Sequence, residues 1–176
     1  MALKWLKYFC PNARYLLKVD DDVAINTPRI LNSIKKGDFG EKKDLLLCRY
    51  MRSPQPVIRE KTNKWFVTYE EYPAEKFPQY CSGYAIFYSS SAAIKIYEAS
   101  QTLKYFWIED VFVTGIARQK AGIQGTNIMF YAQFHLDKAK LLMSLSEEYR
   151  NSFILAANFA PASIREIWAT LLTSRN

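Results

Sequence analysis

The stretch Tyr15-Leu-Leu-Lys-Val-Asp-Asp-Asp-Val-Ala-Ile-Asn26 decides how the rest of the chain is read. An apolar run with strand character stops abruptly at Asp20, Asp21 and Asp22, and a short apolar segment then leads to Asn26-Thr27-Pro28, a helix start. Residues such as Val, Ile, Leu and Tyr favour a sheet interior, whereas three adjacent carboxylates repel one another and cannot be buried unpaired. The carboxyl end of a buried strand, with a divalent cation offsetting the charge, satisfies both demands. In open α/β sheets that rim is where ligands bind. Taken alone, an acidic triplet is more often a solvated turn, so the surrounding pattern has to decide.

Working outward, strands are expected over 14–19, 44–50, 64–68 and 84–88. A helix at 3–9 places Leu3 and Leu6 on one face. Thr27 reads as the N-cap of a helix with Pro28 at its first position and Gly37 at its end. The serines at 89–91 cap a helix carrying Ala92, Ile96 and Ala99. Glu109 and Asp110 open a helix from Val111 to Ala121, stopped by Gly122. Ile123 to Phe134 reads as extended, 138–151 as helical, and Pro161 to Trp168 as a final helix. Residues 51–63 and 69–80 read as loops, the second rich in aromatics and proline. Strands alternating with helices make this an α/β chain, and 176 residues suit one domain over 1–176.

The chain carries 24 Lys and Arg against 17 Asp and Glu, a net charge of +7. Such a balance favours anionic partners, but the basic residues are scattered, which speaks against nucleic acid. No apolar segment approaches the roughly 20 residues that span a bilayer, and the first ten residues do not read as a signal peptide. Cys10, Cys48 and Cys81 are too few and too dispersed for a zinc cluster. They allow one disulfide, whose pair the sequence leaves open.

Two acidic sites thus stand at strand-to-helix transitions, Asp20–Asp22 and Glu109-Asp110, and are expected on one rim of the sheet. A carboxylate cluster suits Mg²⁺ or Mn²⁺, which take oxygen ligands and share them with substrate phosphates. A second acid can take the proton of an incoming hydroxyl. Taken by themselves, Glu109 and Asp110 are more often a pair that complements a helix dipole than a site. Residues of the kind of Trp65, Tyr72, Tyr80 and Trp107 are more often core or loop packing than sugar platforms.

The ordered series Phe9-Cys-Pro-Asn-Ala-Arg-Tyr15, Lys18-Val-Asp-Asp-Asp-Val23, Lys64-Trp-Phe-Val67, Tyr72-Pro73, Pro78-Gln-Tyr-Cys-Ser-Gly83 and Glu109-Asp-Val-Phe-Val-Thr-Gly115 resembles glycosyltransferase family 31. That family comprises β-1,3-galactosyltransferases and β-1,3-N-acetylglucosaminyltransferases. The resemblance implies a Rossmann-like, A-type fold, a UDP-sugar donor, a glycan acceptor, Mn²⁺ (or Mg²⁺) and inversion at the anomeric carbon. It implies Asp22 as the main metal ligand, with Asp20 and Asp21 at the nucleotide sugar and the ion. Asp110 corresponds to the base, Glu109 stands beside it, and Cys81, Ser82 and Gly83 line the donor site.

The family setting is the lumenal face of the Golgi membrane. It further implies a first strand, uridine-gripping loops, a stem and an anchor ahead of residue 1, which this sequence does not include. Ala85 stands where the family has glycine. Ala157-Asn158-Phe159 stands where many members carry a metal-binding histidine, a role His135 would then take. The competing expectations are a catalytically inactive relative acting as an interaction partner, and a metal-dependent phosphohydrolase. The latter explains the acids but not the ordered aromatic and Cys-Ser-Gly motifs.

Overall fold

A computed structural model describes residues 2–39, 43–51, 53–127, 154–156 and 160–173. It is a mixed α/β structure in two compact units, residues 1–18 with 43–127, and residues 19–42 with 128–176.

The first unit is built on a four-stranded sheet in the order β1-β4-β3-β5, with β1 Tyr15–Val19, β3 Leu46–Tyr50, β4 Cys81–Ser89 and β5 Thr126–Asn127. β3 runs antiparallel to β4 and parallel to β5. The aliphatic run Leu46-Leu47-Cys48 is fully buried, as a strand flanked on both sides should be. Helices α1 (Ala2–Phe9) and α3 (Ser90–Ser100) cover the sheet. Their inward residues Leu6, Ala92, Ala93 and Ile96 join Leu46, Cys48, Ile86 and Tyr88 in one core. Ser89 caps α3 by accepting from the Ala92 N–H, and also receives the Leu45 N–H, so one hydroxyl locks a helix start to a neighbouring strand.

Between β3 and β4 the chain makes a long excursion with its own small core. Val57, Val67 and Phe77 pack with Phe106 and Val111 from the segment that follows α3. The Arg59 guanidinium ties this excursion together by donating to the carbonyls of Val67, Tyr72 and Ala74, and it lies 3.9 Å from the Tyr69 ring centroid. The strand expected at 64–68 does not form. The Asn63 side chain accepts from the Trp65 N–H and its carbonyl from the Phe66 N–H, closing a turn where a ladder would have started. The Cys81-Ser-Gly83 segment, expected to lead into β4, is instead its first three residues.

In the second unit, β2 (Ala24–Ile25) pairs antiparallel with β6 (Ile154–Ala156). Helix α2 spans Thr27–Lys36 and is capped by Asn26, one residue earlier than expected, because its Oδ1 receives the Arg29 N–H. Gly37 ends it at φ 71°, the left-handed conformation that costs glycine nothing. The final helix, α5, runs Pro161–Thr173 and buries Ile167. The extended run from Ile123 is described as far as Asn127. His135, the helix expected at 138–151 and Ala157-Asn158-Phe159 lie outside the described residues.

Candidate active site

The three carboxylates Asp20–Asp22 form the turn between β1 and β2, closed by the Val23 N–H donating to the Asp20 carbonyl at 3.3 Å. Asp21 is exposed, while Asp20 and Asp22 are half-buried. The strand that leads to them is not the buried one the sequence implied: β1 lies at the edge of the described sheet, half-buried along its length and exposed at Val19. Among the described residues no three Asp, Glu, His or Cys side chains converge on a point that would hold a metal by themselves. A turn offering one or two carboxylates fits a hard cation that completes its shell with substrate phosphates and water.

The other predicted residues lie in the first unit, and the structure separates the adjacent acids Glu109 and Asp110. Asp110 begins a π-helix, Asp110–Ala117, continued by the short α4 (Arg118–Lys120) and ended at Gly122 with φ 69°. Its half-buried carboxylate lies directly over Gly83. A Cβ placed on that glycine would sit 2.6 Å from each carboxylate oxygen. No larger residue fits there without moving the acid, and this is why the third position of Cys-Ser-Gly is glycine.

The backbone reaches up to Asp110 because β4 is irregular at this point. Cys48 pairs with Ile86 while the next residue, Arg49, pairs with Ser82, so Gly83, Tyr84 and Ala85 are extra residues on β4. Bulges of this kind recur beside functional sites. The Gly83 carbonyl accepts from the Lys18 ammonium at 2.9 Å, so the residue just upstream of the acidic stretch props the bulge. Ala85, at the glycine position of the motif, is buried within β4.

Asp110 opens onto a cavity of about 270 Å³ whose wall includes Gln55, Ile58, Trp65, Phe77 and Tyr80. Trp65 stacks on Trp107 with ring centroids 5.9 Å apart and planes 9° from parallel. Both rings are partly open to solvent, at 44% and 37% exposure, unlike ordinary packing residues. Glu109 is exposed and faces a different, larger cleft of about 770 Å³, shared with Lys4, Lys18, Tyr88 and Tyr97. The phenols record the acids: burial, and then Asp110, raises the Tyr80 hydroxyl above the usual phenol range. Burial, followed by Glu109 and Asp110, does the same to Tyr88.

Cys81 is fully buried and bonded to Cys48, leaving Cys10 as the free thiol. The bond anchors the start of β4. Three features were not legible beforehand. The disulfide pair needs strand register, and Lys18 read as an ordinary strand residue. The third, Arg118, is buried and donates to the carbonyls of Thr114, Ile123 and Gln79.

The family model described as Galactosyltransferase matches residues 1–129. The chain belongs to that galactosyltransferase family.

A lactosylceramide 1,3-N-acetyl-beta-D-glucosaminyltransferase A of Xenopus laevis is 38% identical over 129 residues, covering 73% of this chain and 33% of the relative. Beta-1,3-galactosyltransferase 5 of Mus musculus is 34% identical over 113 residues, 64% of this chain and 36% of the relative. A UDP-GalNAc:beta-1,3-N-acetylgalactosaminyltransferase 1 of Sus scrofa is 32% identical over 177 residues, 98% of this chain and 50% of the relative. The chain thus spans a third to a half of the length of these relatives. Among the described residues no helix is long and apolar enough to cross a membrane.

Proposed function

We propose that this chain carries catalytic machinery of an inverting, metal-dependent hexosyltransferase. It moves galactose or an N-acetylhexosamine from a UDP donor to a hydroxyl of a glycan acceptor in β-1,3 linkage. On this reading residues 1–176 belong to one catalytic domain with the Rossmann-like, A-type architecture of nucleotide-diphospho-sugar transferases. The observation that carries the proposal is the Asp110 carboxylate, packed against Gly83 and opening onto an aromatic cavity. Relatives named for galactosyl, N-acetylglucosaminyl and N-acetylgalactosaminyl transfer support the reaction class but divide over the donor sugar.

The cavity provides what a pyranose ring needs, namely apolar walls for its C–H face and a few convergent polar groups. At about 270 Å³ it is at the small end of ligand sites and suits a single sugar residue. The acceptor hydroxyl then approaches Asp110, which removes its proton as the oxygen attacks the anomeric carbon. Attack from the face opposite the diphosphate inverts that carbon, and UDP departs with the bonding electron pair. Ser82 and Gly83 wall the donor side, while Glu109, turned to the neighbouring cleft, adds negative potential rather than a second base.

Asp22, with Asp20 and Asp21, would hold Mn²⁺ or Mg²⁺, and His135 is the candidate imidazole ligand. The bound cation would offset the charge that develops on the diphosphate leaving group. A buried disulfide supports an oxidising compartment such as the Golgi lumen.

The test is release of UDP from UDP-galactose, UDP-N-acetylglucosamine and UDP-N-acetylgalactosamine, each with Mn²⁺ and a methyl β-lactoside acceptor. Asp110→Asn should bind donor and lose turnover by at least about 100-fold, the scale of lost general-base catalysis. Asp22→Ala should abolish transfer and Mn²⁺-dependent UDP binding together. Turnover surviving in Asp110→Asn rules out the base assignment.

A further inference from the structure

We infer that Thr114 is a positioning residue whose hydroxyl holds the Asp110 carboxylate over Gly83 by joining the start of β4 to the start of the π-helix. The inference rests on the reading of Asp110 as the base, and it concerns how that base is kept in place.

Thr114 is 1% exposed, and its single hydroxyl is used in both directions. The oxygen accepts the Cys81 N–H at 2.8 Å, and the proton is donated to the Asp110 carbonyl at 2.5 Å. Cys81 begins the strand whose third residue is Gly83, and Asp110 is the residue whose carboxylate meets that glycine. The two halves of the contact are therefore tied through one oxygen atom, two residues from Gly83 on one side and at Asp110 itself on the other.

The same bond lies inside an unusually wide helix. A threonine hydroxyl that bonds the carbonyl four residues back competes for the acceptor that a backbone N–H would use in an α-helix, and it often bends the helix there. Here the turns widen into a π-helix, in which backbone bonds reach five residues back, as from the Arg118 N–H to the Val113 carbonyl. Such wide turns recur at functional sites.

Neighbouring contacts fasten the same strand entry without reaching Asp110. A Cβ on Gly115 would come within 3.1 Å of Pro78 and 3.3 Å of Tyr80, so the helix and the 78–80 backbone are already in close packing. Arg118 donates to the Gln79 carbonyl at 3.3 Å. The Cys48–Cys81 bond fixes the far side of Cys81. These hold the loop against the helix, whereas the Thr114 hydroxyl sets the height of Asp110 above Gly83.

The experiment compares wild type, Thr114→Val, which keeps the shape and loses the hydroxyl, and Thr114→Ser, which keeps the hydroxyl. The first readout is the nuclear Overhauser contact between the Asp110 Hβ and Gly83 Hα protons, which needs no activity. It should be present in wild type and Thr114→Ser and lost in Thr114→Val. The second is turnover with the three UDP-sugars and methyl β-lactoside. Thr114→Val should lower kcat by at least about tenfold with acceptor KM within about twofold, and Thr114→Ser should restore kcat, since small misplacement of a reacting group is costly.

If Thr114→Val does not fold, Thr114→Ala is read in its place. An intact Overhauser contact in the variant lacking the hydroxyl overturns the inference, as does an unchanged kcat. If Asp110→Asn turns over like wild type, the base assignment falls separately, and the Overhauser contact still decides whether Thr114 places the carboxylate.

Discussion

Gly83→Ala tests the site at its tightest point. The backbone at Gly83 does not need the left-handed region, since positive φ is confined to Gly37 and Gly122 among the described glycines, so alanine is conformationally allowed. What alanine adds is a methyl carbon 2.6 Å from both Asp110 carboxylate oxygens and 2.9 Å from their shared carbon. Ordinary contact begins near 3.4 Å, so the carboxylate must retreat by roughly 0.8 Å. The obstructing atoms are the tip of a side chain rather than backbone, and a rotation about χ1 or χ2 away from its minimum costs about 0.5–1.5 kcal/mol.

Global stability should therefore fall by no more than that, a shift of a few degrees in Tm for a chain of this size. The chemistry should suffer far more, because misplacing a catalytic group by about 1 Å can cost on the order of 100-fold in rate. The assay pairs thermal denaturation with UDP release under saturating donor and acceptor. The expected pattern is a near-normal melting curve, kcat lowered about 100-fold and little change in acceptor KM. Wild-type kcat in a folded Gly83→Ala variant would refute the argument that Asp110 acts from its place over this glycine. A variant that loses most of its stability would show that the carboxylate cannot yield, and that the contact is structural.

Two further expectations follow from the fold. Breaking Cys48–Cys81, which closes a loop across a sequence separation of 33, should cost roughly 4 kcal/mol by the loop-entropy rule. Replacing both cysteines by alanine should thus lower Tm by on the order of 10 °C, whereas Cys10→Ser, at the free thiol, should leave it unchanged in the same scan. Asp44 is held below the usual carboxylate range, first by the Lys95 ammonium at 2.5 Å and then by the Ser91 hydroxyl. A carboxylate with a depressed folded pKa adds stability above its unfolded pKa of 3.8 and loses it as pH falls through the folded value. Because Lys95 is 46% exposed the bridge is solvent-screened, so Asp44→Asn should cost at most about 1 kcal/mol at neutral pH. That difference should begin to shrink below about pH 3.8 and close once the pH has fallen past the depressed folded value, in parallel urea titrations.

Much of this protein was readable from local pattern. The α/β alternation, the 15–19 strand ending in carboxylates, the serine-capped helix at 90–100 and the glycine stops at 37 and 122 rest on preferences of single residues and their near neighbours. So does the placement of Asp110 at a helix start. The ordered motifs from Phe9 to Gly115 carried the family, which the match over residues 1–129 then established.

What sequence could not supply is everything that depends on register and approach between distant segments. The pairing of Cys48 with Cys81 follows from β3 lying beside β4, and the turn at Asn63 overrode an apolar stretch that looked like a strand. The parting of Glu109 and Asp110 into separate cavities is invisible in a dipeptide. A one-dimensional reading placed Gly83 and Asp110 in the same site as two independent motif positions. Only the tertiary structure made them a single contact, because extra residues in β4 push the glycine outward and a widened helix turn, tied through Thr114, brings the carboxylate down upon it.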